Sequence, residues 1–101
     1  MDFSQGDIIK ISGLRHFFLI VSKNAFIRAA GMFHVCPLLS NLEPGVTHIP
    51  VYGLHGLTGT VACEQIKLID PDARVSSLQD RIAYGQLMEI SDVIQGIFEY
   101  D

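Results

Sequence analysis

Apolar and polar residues alternate over residues 6–12, with Ile9 and Ile11 sharing one face, which predicts a first strand. Gly13-Leu14-Arg15 forms a tight connection. Residues 16–22 are almost continuously apolar, the pattern of a strand buried on both faces and therefore central. Lys23-Asn24 opens a short irregular or one-turn helical segment through Arg28. A third strand follows over residues 32–38, and Pro37 late in it predicts an edge or a bulge. Residues 40–45 are a loop by composition, with Pro44-Gly45 as its turn signal. Residues 47–51 form a short fourth strand, demoted by Pro50. Gly53, Gly56 and Gly59 mark a tightly turning connection into a strand-like run over residues 59–70, which stops at Asp70-Pro71-Asp72. One more short strand is expected over residues 74–78.

The period changes near residue 83. Leu87, Ile90, Ile94, Ile97 and Phe98 recur at helical spacing, with Gln86, Glu89, Asp92, Gln95 and Glu99 on the other side. Gly85 and Gly96 each weaken this helix by about 1 kcal/mol relative to alanine, so packing must supply the difference. Several short strands followed by one amphipathic helix predict a mainly β fold. The expected form is a small SH3-like barrel or curled antiparallel sheet with one C-terminal amphipathic helix, making one domain of residues 1–101.

Within residues 59–70, Glu64-Gln65 interrupts an otherwise apolar run. Read as one strand, Cys63, Gln65 and Lys67 share a face and Ala62, Glu64, Ile66 and Leu68 share the other. Glu64 then lies either at a strand end facing water or partly buried beside a partner. The second case raises a carboxyl pKa toward the range of a general base.

Composition sharpens the class rather than the chemistry. With 49% hydrophobic and 18% charged residues the chain is globular and not a disordered tail. Its longest apolar run is too short for the roughly 20 residues of a membrane span. Asp2 and Gln5 do not resemble a signal peptide, so the expected location is cytoplasmic. Cys36 and Cys63 read as reduced buried thiols, with a disulfide between neighbouring strands as the alternative, and no metal-ligand spacing is present. The net charge of −4 is lodged entirely in residues 75–101. The body is therefore neutral and can carry a local cationic surface, which permits contact with nucleic acid without requiring it.

The order of features resembles the MazF/PemK family, the ribonuclease toxins of bacterial toxin–antitoxin pairs. Gly6-Asp7-Ile8 looks like the family's opening strand, and Arg15 ahead of Phe18-Leu19-Ile20-Val21-Ser22 like its arginine and apolar second strand. Val35-Cys36-Pro37-Leu38-Leu39-Ser40 falls where the family has an apolar strand ending in a Thr/Ser pair. The run from Thr58 to Asp70, with its Glu64-Gln65 pair and following Lys67, is the most similar block. The resemblance implies a homodimer with a cognate antitoxin as partner. It also implies cleavage of single-stranded RNA through the ribose 2′-hydroxyl, without metal or cofactor and away from any membrane.

Carried over residue by residue, the resemblance makes Arg15 the phosphate-facing guanidinium and Glu64 the base. Ser40 becomes a donor to phosphate or sugar, and Lys67 a backbone-phosphate contact. The chain departs from the pattern at four places. Only Gly13-Leu14-Arg15 remains of a longer first loop, His16 replaces a proline, Leu39 a threonine, and Ala62 an arginine found in some members. Histidines titrate near neutrality, so His16 beside Arg15 is a candidate proton carrier. The alternative is an SH3-like barrel without catalysis that binds protein or RNA.

Overall fold

A computed structural model describes residues 3–101; Asp2, used above in judging the amino terminus, lies outside the described residues. The strands are β1 (Asp7–Ile11), β2 (Phe17–Ile20), β3 (Phe33–Leu39), β4 (His48–Tyr52), β5 (Thr58–Ala62), β6 (Lys67–Ile69) and β7 (Ser76–Arg81). Two helices are interspersed, α1 (Asn24–Ala30) and α2 (Tyr84–Ile97). All strand pairs are antiparallel, and the seven strands form one sheet in the order β4-β5-β3-β2-β1-β7, with β6 also against β3. The two outer strands of this path approach each other at one corner, through the Gly53–Ile82 bridge, the Leu54 N–H donated to the Arg81 carbonyl, and the Asp80 carboxylate described below. The mainly β, antiparallel expectation therefore holds, with closure confined to that corner.

Strand alternation builds a core on each face of the sheet. Ile8, Leu19, Cys36 and Leu38 point to one side, and Ile9, Phe18, Phe33 and Val35 to the other. Residues 18–20 are all buried, which is why β2 is central, as its unbroken apolar run predicted. Each fully buried Ile, Leu or Phe contributes roughly 1.5–3 kcal/mol. The first core is covered by α2 through Leu87, Ile90, Val93 and Ile94. The second takes Ile27 of α1 and, at its margin, Phe3 and Leu14. The short helix ends at Gly31, whose left-handed backbone (φ 68°) lets its N–H reach the Ile27 carbonyl.

The apolar stripe of α2 is shorter than its sequence pattern. Ile97 is 37% exposed and Phe98 72%, because the sheet has ended before the last turn of the helix. No side chain caps its N-terminus, and its first and last turns lack complementary charge. Packing holds it instead, together with Gln86, whose Oε1 accepts the Tyr52 N–H at 2.9 Å and whose Nε2 donates to the Pro50 carbonyl at 3.4 Å. Those backbone groups lie on the outer edge of β4, so the proline expectation for this strand holds and the helix covers the exposed edge.

Asp80 fastens the corner where Gly53 meets Ile82. Its buried carboxylate accepts the N–H groups of His55 (3.0 Å), Leu57 (3.0 Å) and Arg81 (2.7 Å). Burial pushes this carboxyl pKa up, but the donors of Leu57, Arg81 and His55 and the nearby His55 charge outweigh it, and the net shift is downward. A Cβ at Gly53 would overlap Asp80 Oδ2, whereas Gly96 faces open space. We therefore expect Gly96→Ala to stabilise by roughly 0.5–1 kcal/mol and Gly53→Ala to cost more than about 1 kcal/mol. Thermal unfolding should separate them in opposite directions from the wild-type Tm.

Candidate functional site

Two observations assemble the site. The tight turn after β1 delivers Arg15 and His16, and Lys10 holds that turn by donating its Nζ to the Leu14 (3.2 Å) and Arg15 (2.8 Å) carbonyls. The pairing of Phe17 with Leu38 then sets the end of β3 beside the start of β2, which places Ser40 next to the turn. The result is a groove of about 220 Å³ lined by Arg15, His16, Phe17, Leu38, Ser40 and Thr58. It continues past His16 and Ser40 into a second hollow of about 280 Å³, walled by Leu39, Asn41 and Leu42. Arg15, His16, Ser40 and Thr58 are all exposed, so the polar ends of the groove meet solvent while Phe17 and Leu38 form its floor.

Three of the five expected residues, Arg15, His16 and Ser40, therefore share one groove. Lys67 does not. Its Nζ lies 5.9 Å from the ring centre of Phe18, whose side chain points to the sheet face opposite Phe17 and Leu38.

Glu64 is also elsewhere, and its setting differs from the strand expectation. It sits in a turn between β5 and β6, so the alternation read over residues 62–68 is broken. Pairing of Leu38 with Val61 and of Phe33 with Ile69 shows a three-residue slip between the two strands as they pass β3. Extending the first register puts Cys63 opposite Cys36, four residues along β3 from Ser40, or about 13 Å at the strand rise. Both Glu64 oxygens are engaged: Oε1 accepts the Thr47 hydroxyl at 2.7 Å, and Oε2 lies 3.1 Å from His48 Nε2. The Thr47 hydroxyl above all, opposed by slight burial and helped by its own N–H, His48 and Gln65, lowers the carboxyl pKa from 4.5 to about 2. Of the two settings the sequence left open, the water-facing one is nearer: Glu64 is exposed, and the donors around it lower its pKa where burial would have raised it. His48 is half-buried in this cluster.

The other histidines behave simply. His34 packs against Phe26, ring centres 5.2 Å apart, and His55 is exposed. Cys36 and Cys63 are free and buried; burial first, then neighbouring Cys63 and Glu64, pushes Cys36 up to about 12, and burial with Glu64 and Glu89 pushes Cys63 up to about 11. Such thiols are poor nucleophiles. Sequence reasoning passed over Thr58, Asn41 and Lys10. Asn41 reaches the second hollow as the neighbour of Ser40, whereas Thr58 is brought to the groove by the register of β3 with β5.

Among the described residues no helix is long and apolar enough to cross a membrane, and no group of three or more His, Cys, Asp or Glu side chains is placed to hold a metal ion. Fold and groove define a small antiparallel β protein, buttressed by a C-terminal helix, with an open polar groove at the end of its central strands. Its sequence matches, over residues 1–98, the family model of the PemK-like, MazF-like toxins of type II toxin–antitoxin systems, and the chain belongs to that family. The fold is similar to a chain of the MazE-MazF crystal structure (Form-I) from Deinococcus radiodurans, with TM-score 0.82, 17% identity, and coverage of 94% of this chain and 94% of that one. It is also similar to an endoribonuclease from Mycobacterial species, with TM-score 0.77, 19% identity, and coverage of 95% and 90% of the two chains. A mycobacterial endoribonuclease in complex with its cognate antitoxin gives TM-score 0.77 at 17% identity, covering 98% of this chain and 99% of that one. No curated protein matches the sequence.

The Glu64 cluster makes a pH prediction. Because its folded pKa lies below its ordinary value, ionised Glu64 contributes stability that is fully present above about pH 4.5 and is lost as the pH falls toward about 2. Glu64→Gln should therefore lower Tm at pH 6, and the gap from wild type should close by about pH 2. A gap that is constant with pH would show that the carboxylate charge contributes nothing.

Proposed function

We propose that this toxin is an endoribonuclease that cuts single-stranded RNA, with the groove at Arg15 as its active site and a cognate antitoxin as its partner. Homodimerisation belongs to the same reading. The observation that carries it is the convergence of Arg15, His16 and Ser40 in one groove of a chain with this family membership. The solved relatives named as endoribonucleases, one with its antitoxin, support it.

In the proposed reaction the ribose 2′-oxygen forms a bond to the adjacent phosphorus as the bond to the 5′-oxygen breaks. The products are a 2′,3′-cyclic phosphate and a free 5′-hydroxyl, and no water is consumed. Arg15 faces the phosphate, where its fixed charge and forked donors match two non-bridging oxygens. Ser40 and Thr58 donate to phosphate or sugar. His16 carries the proton taken from the 2′-hydroxyl or given to the leaving oxygen. Glu64 is then a positioning residue: it ties Thr47 and His48, at the far end of the loop that begins with Ser40, to the turn after β5. Its distance from the groove favours a second reading, a module that holds RNA or protein without cutting it.

The test is incubation of the purified protein with single-stranded RNAs of varied sequence, with chelator present. The expected result is discrete fragments ending in 2′,3′-cyclic phosphate, with Arg15→Ala slowing cleavage by about 100-fold or more, as removal of a transition-state donor does. RNA left intact by the wild type would select the binding-module reading.

A further inference from the structure

Cys36 and Cys63 are the two thiols of the chain, and the sheet sets them side by side. The β3–β5 register, continued past Leu38 and Val61, brings Cys36 opposite Cys63. Both side chains enter one buried cluster, together with Leu38 and Val61. The Cys63 N–H reaches the Thr47 carbonyl at 2.9 Å, so this residue keeps its place beside β4 although the turn over residues 62–65 has begun. Because Val21 donates to the His34 carbonyl, Cys36 directs its backbone groups at β2, and the two cysteines face each other as a non-hydrogen-bonded pair. Such pairs hold their Cα atoms about 4.5 Å apart, inside the roughly 4.4–6.8 Å that a disulfide spans. Contact is direct: Cys36 Sγ lies 3.7 Å from the Cys63 carbonyl oxygen. We infer that Cys36 and Cys63 form an oxidation site, a thiol pair that closes to a cross-strand disulfide on reaction with a low-molecular-weight disulfide.

Both thiols are fully buried, and burial keeps them protonated, so the closed fold is reduced and unreactive at rest. Cys63 is the way in. Its turn is held by the Gln65 N–H on the Ala62 carbonyl, and from outside by Thr47 and His48 on the exposed Glu64. When the turn opens, the Cys63 thiol gives its proton to water and attacks one sulfur of the oxidant. The displaced thiolate takes up a proton. Cys36 then loses its proton and attacks the Cys63 sulfur of the mixed disulfide, which releases the second thiol. The cysteines give up two electrons, and the oxidant is reduced to two thiols. The bridge closes residues 36–63 into a loop that contains β4 and β5, which restricts the unfolded chain and makes the oxidised form the more stable one.

The test incubates folded wild type with glutathione disulfide, alkylates the remaining thiols in denaturant and weighs the intact chain. The expected product has lost two hydrogens, carries no alkyl group, and yields a Cys36–Cys63 linked peptide within one chain. Its Tm should lie about 10 °C or more above that of the reduced protein, and dithiothreitol should reverse the shift. Cys36→Ala should stop at a mixed disulfide on Cys63, whereas Cys63→Ala should form no adduct. Glu64→Ala, which frees the turn, should speed oxidation several-fold; an unchanged rate overturns the turn as the point of entry. Wild-type thiols that both remain alkylatable overturn the site, as does a bridge that forms only in denaturant. An intramolecular bridge that leaves Tm unchanged overturns its stabilising role. No RNA enters these measurements, so their outcome is separate from that of the nuclease reading.

Discussion

One missing hydrogen shapes this protein. Pro37 lies on β3, an inner strand with neighbours on both sides, where a residue without an N–H should not stand. On the β2 side it does no harm. Val21 donates to the His34 carbonyl at 2.9 Å, so hydrogen-bonded pairs fall at every second residue and Phe18 opposite Pro37 is not one of them. The Pro37 nitrogen therefore points toward the other neighbour, and the donor that the Ala62 carbonyl would have received is absent. The Gln65 N–H takes its place at 3.1 Å, closing a turn over residues 62–65. The neighbouring strand consequently divides into β5 and β6, offset by three residues, and the turn between them lifts Glu64 clear of the sheet. There it meets Thr47 and His48, while the Cys63 N–H reaches the Thr47 carbonyl at 2.9 Å.

The features that the chain announces and those it conceals differ by the range of the forces behind them. β1, β2 and α2 are written in local periodicity, and their observed limits differ from the expected ones by only a few residues. Pro37 was legible as a sign of a bulge, but the bulge itself falls on the partner strand, 25 residues downstream at Ala62. That is why the acid-amide pair in residues 59–70 read as part of a strand: nothing near it in sequence demands a turn. Asp80 was invisible for the same reason, since the N–H groups of His55 and Leu57 that it serves lie 25 and 23 residues away. At the site, Arg15 and Ser40 were named from the family resemblance and His16 as the neighbour of Arg15, and the pairing of β2 with β3 brings them together. Thr58 needed the β3–β5 register, which hydropathy does not encode.

Lys10 occupies a similar place in the logic of the groove. A short turn carrying an arginine is by default a flexible surface feature, and an exposed charge contributes little to stability. Here the Lys10 ammonium bridges two consecutive carbonyls of the turn while resting 5.6 Å from the Phe17 ring centre. It compensates the dipoles of those two carbonyls and holds the backbone at Arg15. A turn this short is thereby stiffened at Arg15.

For the proposed phosphodiester cleavage, a site with one histidine and no carboxylate is weighed by magnitudes. RNA brings its own nucleophile, already attached next to the phosphorus, so the entropic cost of bringing two reactants together is largely absent. General acid–base assistance contributes about 10²–10⁴-fold per group, and a preorganised donor on the developing charge about 10²–10³-fold. In that proposal Arg15 and His16, which share one groove, would span much of what such a reaction asks of an enzyme, provided the nucleotide is held in line for attack. In that reading, holding it in line falls to Ser40 and Thr58, which share the groove with Arg15.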